Sequence, residues 1–266
     1  DALTLTANTQ PALMAVSVAA TRALEAEGGV GIAAASFVAG HSLGEYSALA
    51  AAGAISVADA ARLLRRRGEA MQAAVAPGEG AMAALLGASI EQAESACAAA
   101  GGICEIANDN APGQVVVSGA KAAVDTACAW AREHGVKKAM PLAVSAPFHC
   151  SLMAPAAEAM REALADVTIS KPPAPLIANV TAAPGDDPEA IRAQLVDQVT
   201  GRVRWRESVE AMHAAGVGLA VELGAGKVLS VMNRRTVKAL AGVNLGEPAD
   251  ISGVVEKIQE FGGAHV

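Results

Sequence analysis

The five residues Gly40-His41-Ser42-Leu43-Gly44 stand between an apolar run, Ser36-Phe37-Val38-Ala39, and a helix-forming stretch from Glu45 to Ala52. The order is strand, sharp turn, helix, with G-x-S-x-G at the turn. Small residues on both sides of one serine let the backbone reverse tightly and lift a single hydroxyl clear. A buried strand before the turn and a helix after it bring the dipole and free amides of the helix N-terminus to face the reacting oxygen. Ser42 is therefore the candidate nucleophile. The competing reading is a glycine-punctuated turn whose serine merely caps a helix.

The rest of the chain continues that strand and helix rhythm. Asn8-Thr9-Gln10-Pro11 is a helix-start signal for a helix over Ala12 to Glu27, stopped by Gly28-Gly29, and Ser56 to Ala74 reads as a helix with Arg65-Arg66-Arg67 on a basic side. From Gly80 to Ala143 the pattern changes. Ala81 to Leu86, Ile103 to Ala107, Gln114 to Ser118 and Lys138 to Ala143 read as strands, with helices over Ile90 to Ala100 and Ala120 to His134. The order β-α-β-β-α-β is the ferredoxin-like unit, which can bury a core of its own and reads as an insertion. Afterwards helices are expected over Leu152 to Ala165, Pro188 to Val199, Glu207 to Ala215, a stretch after Gly226, and Ile251 to Phe261. Strands are expected over Pro175 to Val180, Gly218 to Leu223 and near Val243. Such alternation implies an α/β fold with a largely parallel sheet covered on both faces. The expected division is a large subdomain from residues 1–76 and 144–266, and a small one from residues 77–143.

Composition narrows the function. The formal charge of −7 argues against a nucleic-acid binder, which needs a net basic face. The apolar share is largely alanine, and His41, Glu45 and Asp59 interrupt its longest run, so neither a membrane span nor a signal peptide is expected. Cys97, Cys104, Cys128 and Cys150 show no C-x-x-C pairing and read as core thiols in a reducing, cytoplasmic setting.

A serine hydroxyl is hardly ionised near neutrality and needs a base. His134 and His213 fall near the ends of polar-faced helices, and His265 lies in the tail. His41 adjoins the nucleophile and cannot share its direction in a tight turn, which makes it a wall of the site. His149, in Ser145-Ala146-Pro147-Phe148-His149-Cys150, follows an apolar strand whose exit Pro147 fixes. It is placed either to face a site or to pack in a loop, and spacing does not separate the two. Gly224-Ala225-Gly226-Lys227 lacks the full phosphate-loop pattern, so nucleotide hydrolysis is rejected.

The elbow, Arg67-Gly68, the segment Asn110-Ala111-Pro112-Gly113-Gln114-Val115-Val116-Val117-Ser118-Gly119, then Pro147-Phe148-His149 and Glu222-Leu223-Gly224-Ala225-Gly226-Lys227 occur in one order. From about Thr9 to Glu247 the chain resembles the malonyl-CoA:acyl-carrier-protein transacylases. The resemblance implies an α/β-hydrolase-like large subdomain with an inserted ferredoxin-like small one. It implies malonyl transfer from malonyl-CoA to the phosphopantetheine thiol of an acyl carrier protein, in fatty-acid or polyketide biosynthesis, with no metal or redox cofactor.

By that resemblance Ser42 is the acylated nucleophile, His149 its base, and a backbone carbonyl matched to Gln198, seven residues before Trp205, orients the histidine where a carboxylate would otherwise stand. Leu43 supplies an oxyanion amide. Arg67 binds the substrate carboxylate, for which a planar fork is the suitable donor. Met71 lines the pocket or simply packs in the core. Phe148 matches the bulky residue of related malonyl-preferring acyltransferases, or packs beside Pro147. The family also begins with a strand and a Gly-Gln-Gly-Ser-Gln-like loop that supplies a second oxyanion amide; that loop has no counterpart before Thr9, so the sequence as it stands is expected to be poorly active. A serine hydrolase or thioesterase, and a non-catalytic carrier-protein-binding module, are the alternatives.

Overall fold

In the computed structural model, which describes residues 2–262, the run before the pentapeptide is strand β1 (Val38–Ala39) and the chain after it is helix α2 (Gly44–Ala51). β1 is shorter than the sequence suggests. It pairs in parallel with β6 (Leu176–Ile177) only through Val38 with Leu176 and Ala39 with Ile177. Pro172, Pro173 and Pro175 have no amide hydrogen, so the segment before β6 cannot extend the ladder backwards.

Helix α1 (Thr6–Gly28) begins six residues before the expected Ala12, carrying Pro11 inside it. The early turn forms because it packs against α3 (Val57–Ala73): a side chain on Gly68 of α3 would lie 2.4 Å from the Ala7 Cα. α3 is capped by Ser56, whose hydroxyl accepts from the Asp59 amide at 3.0 Å. Its buried face is Ala60, Leu63, Leu64, Arg67, Gly68 and Met71, a helical stripe that takes in the last of the three arginines and leaves Arg65 and Arg66 outside.

The unit from β2 (Gly80–Leu86) through α4 (Ile90–Ala98), β3 (Cys104–Ala111), β4 (Gln114–Ala120) and α5 (Lys121–Glu133) to β5 (Lys138–Pro141) forms one sheet, ordered β3-β4-β2-β5. Every neighbouring pair is antiparallel. Period-two alternation sorts its side chains. Ala83, Leu85, Val115 and Val117 face Ala93, Ala96, Ala127 and Ala131 of the two helices, while Met82, Ala84, Ala107 and Val116 form a second cluster on the opposite face, where Leu142 and Phe148 join them.

β3 runs past Ala107, where the sequence placed its end. Irregularities at Ile106/Asn108 and Asp109/Ala111 let it bend, so that Asp109 N donates to Val203 O at 2.9 Å and Val203 N to Ala107 O at 2.8 Å. The buried Asp109 carboxylate also takes a fork from Arg206, at 2.8 to 3.1 Å. The small sheet is thus tied to the segment that leads into α8 (Trp205–Ala214).

Helices α6 (Ala154–Ala165) and α7 (Pro188–Asp197) flank β6 in the chain, and a turn with Ala182 at φ 52° leads to β7 (Pro184–Gly185), antiparallel to β6. β8 (Leu219–Leu223) pairs in parallel with β9 (Ala241–Leu245) across α9 (Val228–Thr236), and α10 (Ile251–Gly262) packs on α1. The expected parallel pairing is present, in two pieces ordered β1-β6-β7 and β8-β9, with β7 as an antiparallel edge. The architecture is α/β-hydrolase-like in its large part, with an inserted ferredoxin-like small part.

Candidate active site

Ser42 is held at φ 53°, in the left-handed region that non-glycine residues rarely adopt. Gly40 makes this possible: a Cβ there would sit 1.9 Å from the Gly44 carbonyl oxygen, whereas a Cβ on Gly44 would meet open space. Only the first glycine of the motif is a steric necessity. The turn is braced by Asn179, fully buried just beyond β6. Its Oδ1 accepts from the Ser42 amide at 2.7 Å and its Nδ2 donates to the Gly40 carbonyl at 2.8 Å.

His149, itself at φ 57° and 3% exposed, lies with Nε2 2.7 Å from Ser42 Oγ and Nδ1 2.9 Å from the Gln198 backbone oxygen. A carbonyl can only accept, so the proton sits on Nδ1 and Nε2 is left to accept from the serine hydroxyl. Burial, reinforced by the nearby Arg67 charge, lowers the His149 pKa to about 3. The imidazole is therefore neutral near pH 7, the state a base requires.

Arg67, 2% exposed, reaches the same point from α3. Its Nη2 donates to Ser42 Oγ at 3.2 Å and to Gln198 Oε1 at 2.8 Å, and its Nη1 donates to Gln10 Oε1 at 2.8 Å. Burial pulls its pKa down. Gln198, at the C-cap of α7, completes the cluster: its Nε2 donates to the Ser42 carbonyl at 2.9 Å and to a Glu45 carboxyl oxygen. Leu43 is the N-cap of α2, so its amide adjoins Ser42 at the positive end of the helix.

A serine oxygen, a neutral imidazole aligned by a carbonyl, and a buried guanidinium beside them are suited to forming an acyl ester that carries a negative group. Comparison with known proteins agrees. A family model described as an acyl transferase domain matches residues 1–260. The malonyl CoA-acyl carrier protein transacylase of Escherichia coli (strain K12) is 44% identical over 258 residues, covering 96% of this chain and 82% of the relative. The chain belongs to the malonyl-CoA:acyl-carrier-protein transacylase family. A solved acyl-carrier-protein S-malonyltransferase from Bartonella henselae is 52% identical with a TM-score of 0.94, over 97% of this chain and 83% of that one. A malonyl-transacylase solved in complex with its type II PKS acyl-carrier protein is 42% identical with a TM-score of 0.92, over 96% and 82% of the two chains.

The other residues singled out in this transacylase-family sequence take varied places. His41 turns away from Ser42, its Nε2 2.7 Å from Asn110 Oδ1 and its ring 5.8 Å from that of Trp205, and burial lowers its pKa. Phe148 is half-buried and touches both the main core and the Met82 cluster. Met71 is buried, its sulfur 3.9 Å from Gln10 Nε2. His134 stacks on Trp130 at the end of α5 and His213 lies exposed at the end of α8, while His265 falls outside the described residues. The carboxylate of Glu222 accepts from the Leu229 and Ser230 amides at 3.0 and 2.8 Å, so the N-terminus of α9 beside Gly224-Ala225-Gly226-Lys227 is already occupied by a protein anion.

Four polar residues of the cluster escaped the sequence reading. Gln10 reads only as part of a helix start, and Glu45 only as a helix residue and a break in the apolar run. Asn110 lay within a quoted motif without a role, and Asn179 within a stretch read as strand. Only Glu45 carried a usable signal. A carboxyl three residues after Ser42, on a helix otherwise made of small and apolar residues, stands close to the turn, and the structure buries it fully.

Proposed function

We propose that this chain moves a malonyl group from malonyl-CoA to the phosphopantetheine thiol of an acyl carrier protein through an ester on Ser42. In the first half, His149 Nε2 takes the Ser42 proton as Oγ adds to the thioester carbonyl. The Leu43 amide donates to the oxyanion, and the tetrahedral adduct collapses with cleavage of the carbon–sulfur bond. The departing CoA sulfur receives the proton from His149. The second half runs in reverse, with the carrier thiol giving its proton to His149 and attacking the ester. The Gln198 carbonyl keeps the imidazole in the required tautomer throughout, and Arg67 holds the malonyl carboxylate. His41, Met71 and Phe148 are the walls of the acyl site.

The observation that carries this reading is the buried Arg67 guanidinium 3.2 Å from the nucleophilic oxygen. A hydrolase of simple esters has no use for such a charge beside its serine. We assign residues 1–76 and 144–266 to the large subdomain and 77–143 to the small one, supported by the separate apolar cluster of the inserted sheet. A cytoplasmic setting is supported by the four free thiols; among the described residues no helix is long and apolar enough to cross a membrane.

Intact-mass analysis after mixing with malonyl-CoA, without acceptor, tests the proposal. The expected result is one malonyl adduct that is lost in Ser42→Ala and discharged by a carrier-protein thiol. No Ser42-dependent adduct would favour a carrier-binding module, and rapid release of free malonate would favour a hydrolase.

A further inference from the structure

The Arg67 guanidinium is held by amides. Its two terminal nitrogens donate to the side-chain carbonyls of Gln10 and Gln198, its Cζ lies 5.9 Å from the Tyr46 ring centroid, and Arg67 forms no ion pair with a carboxylate among the described residues. This is unusual for a buried arginine, because a charge removed from water is ordinarily compensated by an opposite one. The carboxyl group nearest the cluster, Glu45, is hydrogen-bonded to Gln198 and makes no ion pair with Arg67 among the described residues. It is fully buried, and burial pushes its pKa up to about 8, which keeps it a neutral acid near pH 7. Arg67 Nε meanwhile has no acceptor among the described residues.

Gln10 is built for this contact. It is 2% exposed on the second turn of α1, and its Nε2 end faces two acceptors, Thr6 Oγ1 at 3.0 Å and Met71 Sδ at 3.9 Å. With the amide nitrogen fixed on that side, the carbonyl end must face Arg67. We propose that Gln10 is a positioning residue that sets acyl selectivity: its neutral carbonyl fixes the Arg67 fork while leaving the guanidinium charge uncompensated for the carboxylate of the incoming acyl group. A carboxylate at this position would fix the fork equally well but would occupy the charge. The assignment rests on the malonyl-transfer reading above and uses the early start of helix α1 at Thr6, which carries Gln10 against α3.

The test is kcat/KM for malonyl-CoA and for acetyl-CoA, which lacks the carboxylate, in wild type, Gln10→Glu, Gln10→Met, Arg67→Ala and the Gln10→Met/Arg67→Ala double variant. Gln10→Glu is expected to lower the malonyl-to-acetyl ratio by about ten- to a hundredfold, chiefly through the malonyl KM. Gln10→Met, which loses the acceptor but adds no charge, lowers it less. In the Arg67→Ala background Gln10→Met leaves the ratio where Arg67→Ala put it, because the glutamine acts only through the arginine. Should Gln10→Glu not fold, Thr6→Val, which frees the amide end, is expected to move the ratio the same way by a smaller factor; an unchanged ratio there overturns the assignment. A wild-type preference that Arg67→Ala abolishes and Gln10→Glu leaves intact overturns the role of Gln10 alone. Equal loss with both substrates makes Gln10 a packing residue. A ratio that Arg67→Ala does not change overturns the malonyl reading as well.

Discussion

Replacing Asn179 by alanine isolates what holds Ser42 in its strained conformation. The side chain makes two buried hydrogen bonds, one from the Ser42 amide at 2.7 Å and one to the Gly40 carbonyl at 2.8 Å, and nothing else bonded to it is lost, since the contact from the Arg204 amide uses the Asn179 backbone oxygen. Leaving a buried amide and a buried carbonyl unpaired costs about 1–3 kcal/mol each, so the variant should lose about 2–6 kcal/mol. That is a large share of the roughly 5–15 kcal/mol that stabilises a whole domain. For a chain of this size it corresponds to roughly 5–20 °C in melting temperature. The catalytic effect follows from the same bonds. Ser42 at φ 53° has no other side-chain brace on its amide, and relaxation of the turn moves Oγ away from His149 Nε2, now 2.7 Å distant. A displacement of about 1 Å costs on the order of a hundredfold in rate. Rapid-quench measurement of malonyl-enzyme formation, alongside thermal melting, reads both effects. The malonyl-CoA KM should hardly move, because the Asn179 side chain bonds to Ser42 and Gly40 and not to Arg67. Asn179→Asp, which keeps the acceptor for Ser42 and loses the donor to Gly40, should fall between the two. An alanine variant that melts within about 2 °C of wild type and acylates at the wild-type rate would show that the elbow holds itself and refute the reasoning.

Arg67→Ala should lower malonyl-CoA use about ten- to a hundredfold more than acetyl-CoA use, and Arg67→Lys should restore only part, having no fork; equal slowing of both substrates in steady-state assays would make the arginine structural. Phe148→Ser should raise methylmalonyl-CoA use relative to malonyl-CoA about tenfold, the worth of one methyl group in an apolar pocket, and an unchanged ratio would leave the ring as packing between the two cores. Glu45→Gln has a pH signature. The wild-type carboxyl titrates near 8 when folded against 4.5 as an isolated group, so between those values the unfolded chain sheds a proton that the folded one keeps, and stability falls as pH rises. Glutamine has no such loss, and the variant should gain on wild type by on the order of 3 kcal/mol between pH 4.5 and 7. Melting curves across that range decide it. His149, whose lowered pKa gives the opposite slope below pH 6.5, is common to both proteins and cancels in the difference; a constant gap between the two proteins would mean that Glu45 is ionised in the fold.

The order of elements, the elbow and the inserted unit were legible in the sequence because each rests on local periodicity and on residues that punctuate the backbone. Ser42 and Gly40 declare themselves by what only a glycine-flanked turn permits. Arg67 was separated from Arg65 and Arg66 only by the family resemblance, and the structure supplies the reason, since Ala60, Leu63, Leu64, Arg67, Gly68 and Met71 fall on one buried helical face. What the sequence could not give was every feature set by a partner far along the chain. The early start of α1, the extension of β3 to Ala111 and the brevity of β1 depend respectively on Gly68, Val203 and the prolines before Leu176. The polar cluster is of the same kind. Gln10, Glu45, Asn179 and Gln198 are joined to Arg67, Ser42 and His149 across separations of up to 156 residues, and no local pattern encodes which amide end faces which neighbour. Local sequence marked Ser42 as the candidate nucleophile, because backbone conformation is a local property. Only tertiary packing decided how it is braced and charged, because burial and hydrogen-bond pairing depend on what the rest of the chain brings to the same point.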